Sequence, residues 1–447
     1  MTADRDLGHP ETPGRAYADA LQARARRRAD AADYVTSPFA GAPAELTTVV
    51  GSAVDELAPE IAALSHRIFE TPEEAFHEVL GAAAIAAAVE RLTAAHPSVG
   101  VYGLDTAVEA SVGPEKEGAP TVAILAEYDA LPGIGHGCGH NLIAASAVGA
   151  FAALARLGDR LPGRVVLLGT PAEEGSSGKE LMARNGAFEG VDAALMAHPF
   201  GYDAIDHPFI GRRILRMEFE GVPAHASASP FLGRNALDAV TLAYQAVGLL
   251  RQHLPPTDRV HGIVKEGGER PSVIPRRAVL EFYLRSHAAD TLKELSRRLA
   301  DIAHGAALAT GTGVRLVWDP LPATLPTRFN RPLSERWAVH QAARGRKALT
   351  TAEVPSELAA STDFGNVSVR VPGIHPVIRA SPPEVALHTA EFAEWARSEA
   401  GDAAATDAAF GLALTALDFL ADASLRDAAR ADFEAAGGVL NVEEYFA

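Results

Sequence analysis

The sequence predicts an α/β protein: a mixed, mainly parallel sheet with flanking helices, and a smaller α+β domain inserted into it. Three observations lead there. Apolar runs at Thr121–Ala126, Arg164–Thr170 and Asp192–Ala197 alternate with helix-like segments, the pattern of βαβ units and a parallel sheet. From Arg213 the order of elements changes to βαββαβ, which describes a four-stranded antiparallel sheet with two helices on one face. The 447 residues also exceed what one core usually supports.

Each element has its own signal. Tyr17–Arg28 is a short basic helix whose run ARARRR reads as a solvated face. From Ala44 to His96 apolar residues recur at helical spacing, and Thr71–Glu78 (TPEEAFHE) reads as a helix start with acids in its first turn. Thr121–Ala126 is a buried strand; a Gly-rich loop follows, then Asn141–Leu157, Ala-rich and free of Pro, reads as a buried helix. In the inserted region the strands are Ile214–Val222, His261–Lys265, Ala278–Ser286 and Val314–Trp318, with helices at Asn235–Leu254 and Ala289–Ala307. The Pro-rich stretch Pro320–Pro332 marks the return. Leu333–Arg344, Thr389–Asp422 and Asp427–Ala436 read as helices of the first domain. The division is therefore 1–212 with 325–447, and 213–324 inserted between them.

Composition narrows the partners. Forty Lys and Arg against 57 Asp and Glu give a net charge of −17, a field that repels phosphate backbones and anionic lipid. No nucleic-acid or membrane partner is expected, and a small molecule is. The N-terminus, MTADRDLGHPETPGRAYADA, lacks the apolar core of a secretory signal. A single cysteine, Cys138, forms no intrachain disulfide, so it is buried, reactive or metal-bound. A reducing, cytoplasmic setting is the expectation.

In open sheets of this class, ligands bind beyond the carboxyl ends of the strands. Cys138, His140, Glu173, Glu174 and His198 all lie just past such ends. The i, i+2 spacing of Cys138 and His140 on an extended loop puts both side chains on one side, within reach of one cation or two neighbouring ones. Glu173 and Glu174, between Pro171 and Gly175, point different ways on an extended segment. One can ligate while the other takes a proton from water. Thiolate, imidazole and carboxylate donors suit Zn²⁺, with Mn²⁺ or Co²⁺ where carboxylates dominate.

Five stretches together resemble a known family. AEYDALP (126–132), HGCGHN (136–141), TPAEEG (170–175), the strand end at His198 and STDFGNVS (361–368) resemble the aminoacylase/carboxypeptidase-type metallopeptidases, peptidase family M20. The branch is that of aminobenzoyl-glutamate hydrolase, β-alanyl dipeptidases and N-acyl-amino-acid hydrolases. The resemblance implies a zinc-exopeptidase-like catalytic domain holding two divalent metals, Zn²⁺ or Mn²⁺ with Co²⁺ possible. It also implies an inserted ferredoxin-like lid through which two chains form a homodimer. Carried over by position, Cys138, His140, Glu174, His198 and His388 are the metal ligands, Glu173 the general base, and Asp129 orients a ligand from behind. GVPAHAS (221–227) with GRNALDA (233–239) matches the lid motif, which makes His225 an oxyanion donor to the active site of a second copy. Arg285 falls at a position that binds a substrate carboxylate. Ser272 stands in SVIP (272–275) where the family has AsnValIlePro, which puts a shorter hydroxyl at a substrate-binding position.

The implied activity is metal-dependent hydrolysis of the amide bond in a small N-acyl amino acid or dipeptide-like substrate. Two alternatives from other classes stand beside it: a thiol amidase with Cys138 as nucleophile and His140 as its base, and a metal-carrying binding protein without catalysis.

Overall fold

A computed structural model describes residues 9–447 apart from 117, 356 and 358. Its strands, in chain order, are β1 Ser98–Val99, β2 Val108–Val112, β3 Thr121–Ala126, β4 Arg164–Gly169, β5 Ala193–Leu195, β6 His198–Phe200, β7 Gly211–Glu220, β8 Arg259–Glu266, β9 Arg277–Ser286, β10 Gly313–Trp318, β11 Gly373–Ile374 and β12 Val377–Arg379. The main sheet runs β1-β2-β4-β3-β5-β11. β4, β3, β5 and β11 are parallel, and β2 adds antiparallel to β4, which makes the sheet mixed. Each residue of β3 is buried. A strand covered on both faces has no polar side to show, so its sequence is continuously apolar rather than alternating.

The helix His140–Ala155 packs on β3 and is buried from His140 to Leu154. Helices Ala44–Glu70 and Glu399–Ala421 flank it and complete the larger core. Among the described residues, Glu399–Ala421 is the helix long and apolar enough to cross a membrane, and 78% of that stretch is buried inside the protein. Its apolar surface faces the core.

The second sheet runs β10-β7-β9-β8, antiparallel throughout. Leu215, Met217 and Phe219 of β7, with Leu280, Phe282 and Leu284 of β9, alternate onto the face that helices Ala236–Leu250 and Ala289–Thr310 cover. The opposite parity puts Arg212 and Arg285, directly paired in register, on the face away from those helices. That face looks toward the ends of the parallel strands.

Two elements differ from the sequence reading. Residues 71–78 form a loop, and the helix starts at Val79. Glu73 caps it from outside, its Oε2 accepting from Leu80 N at 2.8 Å and Gly81 N at 3.0 Å. Glu78 turns inward, accepting from Thr106 Oγ1 and from the backbone N–H of Ala172, so it pins the loop that carries the glutamate pair. The span Thr389–Asp422 is two helices, Ala390–Ala396 and Glu399–Ala421, because Ser398 breaks off to cap the second through Gly401 N.

Candidate metal centre

The loops after three parallel strands converge at one place. Residues 127–140 follow β3, 170–178 follow β4, and His198 begins β6 just after β5. Gly139 joins Cys138 to the helix that begins at His140. Its φ is +78°, and a Cβ there would stand 2.6 Å from Pro199 Cγ, so this turn accepts glycine alone. The cysteine and histidine are therefore locked at a helix start rather than carried on a pliable loop.

The structure brings together all five of the proposed metal ligands. Cys138, His140 and His198 present donor atoms that all lie within 4.8 Å of one another, and so do Cys138, Glu174 and His388, and His140, Glu173 and Glu174. Cys138 Sγ is 3.5 Å from His198 Nε2. His388 Nε2 is 3.5 Å from Glu174 Oε1, which in turn is 3.9 Å from His140 Nε2. His388 has φ +62°, an uncommon backbone state for a non-glycine residue, and its N–H bonds to Gly137 O at 2.9 Å. Strain held by a tie to the ligand loop fits a residue whose direction matters.

The donor chemistry fits divalent ions. His140 Nε2 and Glu174 Oε1 are buried and have no hydrogen-bond partner among the described residues, a costly state for polar atoms unless something else satisfies them. The other nitrogen of each imidazole is fixed: His140 Nδ1 lies 3.0 Å from Asp129 Oδ1, and His198 Nδ1 donates to Pro199 O at 2.7 Å. Both imidazoles thus turn an Nε2 lone pair inward, as a metal requires. Burial holds the His198 pKa down to about 4, so it is neutral near pH 7. Burial pushes His140 the same way, but the Asp129 carboxylate and the Cys138 thiol outweigh it and raise His140.

Glu173 stands in the same cluster. Burial, then the charges of Glu127, Glu174 and Asp363, push its carboxyl well above the usual range. Such a group holds and releases protons nearer neutrality than an exposed glutamate does. Cys138 is likewise pushed up by burial and by Glu174, and a thiol that keeps its proton is a poor nucleophile. That counts against the thiol amidase alternative.

A cleft of about 370 Å³ opens over these groups. Arg285 lines it, donating to Ser361 Oγ at 2.6 Å. So does Arg212, which the sequence reading did not single out: it donates to Gly175 O at 3.1 Å and Ser177 Oγ at 3.2 Å, while its buried Nε has no partner among the described residues. Burial and the neighbouring Arg212 charge lower the Arg285 pKa. Two adjacent guanidiniums, neither paired with a carboxylate of the described residues, leave donors that an anion can satisfy.

His225 and Ser272 lie outside this cleft, together at the tip of the lid: Ala226 N donates to Ser272 O at 3.0 Å and His225 pairs with Val273. His225 Nδ1 accepts from Ala228 N at 3.1 Å and Ser227 N at 3.3 Å, which fixes its proton on the exposed Nε2.

Beneath the cleft lies a group the sequence reading did not assign. Lys179, fully buried, bonds Asp363 Oδ1 at 2.6 Å and also Glu127 Oε1. It lies at the start of the helix Gly178–Arg184, whose first residue could not carry a Cβ, since one would meet Pro171 O at 1.9 Å. The signal was present only in that Gly-Lys step and in Asp363 of the 361–368 stretch.

Residues 123–409 match the family model for peptidase family M20/M25/M40. The chain is 36% identical to the Xaa-Arg dipeptidase of Mus musculus over 397 residues, covering 85% of this chain and 90% of that one. It is 36% identical over 290 residues to a p-aminobenzoyl-glutamate hydrolase polypeptide of Escherichia coli K12, 59% of each chain. Its fold is shared with a Bacillus subtilis dinuclear metal binding peptidase from the M20 family, with a TM-score of 0.61, 20% identity, and coverage of 80% of this chain and 98% of that one.

Proposed function

Because this chain belongs to peptidase family M20/M25/M40 and is thus a hydrolase of amide bonds in small substrates, we propose that it cleaves an N-acyl amino acid or dipeptide-like compound bearing a free carboxylate. In this reading Cys138, His140, Glu174, His198 and His388 hold two divalent ions, Zn²⁺ or Mn²⁺ with Co²⁺ a further option. The observation that carries it is the convergence of five donor side chains from separate loops, with His140 Nε2 and Glu174 Oε1 buried and unpartnered among the described residues, beside one carboxyl, Glu173, that no structural partner among them pins.

When bound, the ions supply Lewis acidity and lower the pKa of water toward about 7. The chain does the rest. Glu173 accepts a proton from the attacking water and delivers it to the leaving amine nitrogen, a service worth about 10²–10⁴ in rate. Asp129 keeps His140 in one tautomer and, through Oδ2, accepts from the backbone N–H of Glu174 at 2.8 Å. Arg285 and Arg212 take the substrate's carboxylate and so set which amide bond lies against Glu173. The anion receptor answers the chain's overall negative charge locally, since a lined cleft sets its own field.

His225, with Nε2–H exposed and no place in its own cleft, serves the active site of a second copy. Support comes from the lid's outer surface: β8 is an edge strand, and Ile263 and Val264 on it are 60% and 47% exposed, with Leu249 of the adjoining helix at 67%. A homodimer through the lid covers this edge and carries His225 and Ser272 across together. The setting is the cytoplasm, in keeping with a lone thiol used as a metal ligand. The test is hydrolysis of a panel of N-acyl amino acids and dipeptides by metal-loaded protein; a panel left intact by protein carrying its ions would refute the reading.

A further inference from the structure

The five-ligand set does not account for a buried carboxylate oxygen that faces the centre. Glu127 Oε2 has no hydrogen-bond partner among the described residues, yet its side chain is 1% exposed and it lies 3.5 Å from His140 Nε2, which is unpartnered too. Asp129 holds the His140 ring so that Nε2 faces inward. An imidazole nitrogen and a carboxylate oxygen facing one another out of reach of water need a proton or a cation between them, and 3.5 Å is longer than a hydrogen bond that shares a proton. Donor atoms that share one cation at about 2.0–2.2 Å stand roughly 3–4 Å apart. The Glu127 to His140 separation, 3.5 Å, and the His140 to Glu174 separation, 3.9 Å, both fall in that window.

We propose that Glu127 is a further metal-binding carboxylate of this centre, aimed by the buried Lys179–Asp363 pair. The other side of the Glu127 carboxylate supports this. Its Oε1 is taken by Lys179 Nζ, so one oxygen is anchored and only the second is left to face the centre. Asp363 holds Lys179 twice, accepting from Nζ with Oδ1 and from the backbone N–H with Oδ2 at 2.9 Å. By charge, Lys179 and Asp363 cancel. One negative charge, that of Glu127, then remains for a cation. Lys179 is sealed from water but paired with both carboxylates, and a ligating carboxylate is ordinarily anchored by a partner of this kind. Lys179 is a positioning residue here: it acts through Glu127.

This inference rests on the two-ion reading above, and the test separates the two. Metal-stripped protein is titrated calorimetrically with Mn²⁺ and with Zn²⁺, and ions per chain are counted after gel filtration. Wild type is expected to take two ions. Glu127→Gln keeps an acceptor for Lys179 and the same shape, and is expected to lose roughly 10–100-fold in affinity at one of the two sites. Lys179→Met should lose affinity at the same site, with Lys179→Arg recovering part of it. Wild-type affinity at both sites in Glu127→Gln overturns the proposal while leaving the two-ion reading intact. A wild type that binds no ion overturns both. Should Glu127→Gln not fold, crystals of Mn²⁺-loaded wild type decide instead: Glu127 Oε2 within about 2.4 Å of an ion supports the assignment, and a carboxylate turned away from both ions overturns it.

Discussion

Asp129 and His140 form the hinge pin of the metal centre: the carboxylate reaches the His140 ring at 3.0 Å and, with its other oxygen, the backbone of Glu174 at 2.8 Å. One buried side chain thus sets two ligand directions. Asp129→Asn can still hydrogen-bond, but it offers one oxygen where two are used and no charge to favour the right tautomer. Metal affinity is expected to fall roughly 10–100-fold, read by calorimetry, with the fold intact by circular dichroism.

Glu173 is placed beside the ligands without being pinned by a structural partner among the described residues. Glu173→Gln should therefore leave metal content at the wild-type level and cut kcat by about 10²–10⁴. Retained turnover in a metal-replete variant would remove Glu173 from its role as base.

Arg285 and Arg212 are paired across β9 and β7 and share the cleft. Arg285→Met should raise KM for carboxylate substrates by about tenfold or more, since a charge-assisted hydrogen bond contributes about 1.5–3 kcal/mol, and leave kcat for saturating substrate less affected. Amidated analogues, lacking the carboxylate, should lose this difference between wild type and variant.

His225 lies outside its own cleft, so two inactive variants should rescue each other. His225→Ala is expected to lose about 10²–10³ in rate, and Glu173→Ala to be inactive. Mixing them after partial denaturation and reassembly should restore activity in the hybrid dimers, where one site has both residues. No recovery from a mixture shown to contain hybrids would place His225 outside catalysis.

Metal uptake should weaken as pH falls. Cys138 is raised by burial and Glu174, and His140 is raised by Asp129 and Cys138 against its burial, so both carry protons that an ion must displace. His198, lowered to about 4, adds nothing until strongly acidic pH. Competition titrations between about pH 6 and 8 should show roughly one to two protons released per chain.

Much of this was legible in the sequence because the signals were local. β3 and β4 are continuous apolar runs long enough to be unmistakable, and β7 from Leu215 and β9 from Leu280 alternate buried and more exposed positions to their ends. β1, β11 and β12, two or three residues long, carry no periodicity to detect. In the site, Cys138 and His140 announce themselves by spacing and Glu173 and Glu174 by adjacency. Glu127 sits only two residues from Asp129, inside the AEYDALP stretch, and its spacing gave it no role of its own. Lys179 in GKELMAR carries no local sign of burial, because its partner Asp363 lies 184 residues away. Arg212 was hidden likewise, because which strand face meets the cleft is set by how the lid packs.

Side chains from separate strand ends hold two ions beside Glu173 and hydrolyse a small amide: that is the central claim. The direct measurement is turnover of an N-acyl amino acid found active in the substrate panel, by stripped protein reloaded with Mn²⁺ or Zn²⁺, plotted against ions bound per chain. The account predicts none in the stripped protein, full rate near two ions, and no recovery in His198→Ala at matched metal concentrations. Undiminished hydrolysis by fully stripped wild type would contradict it.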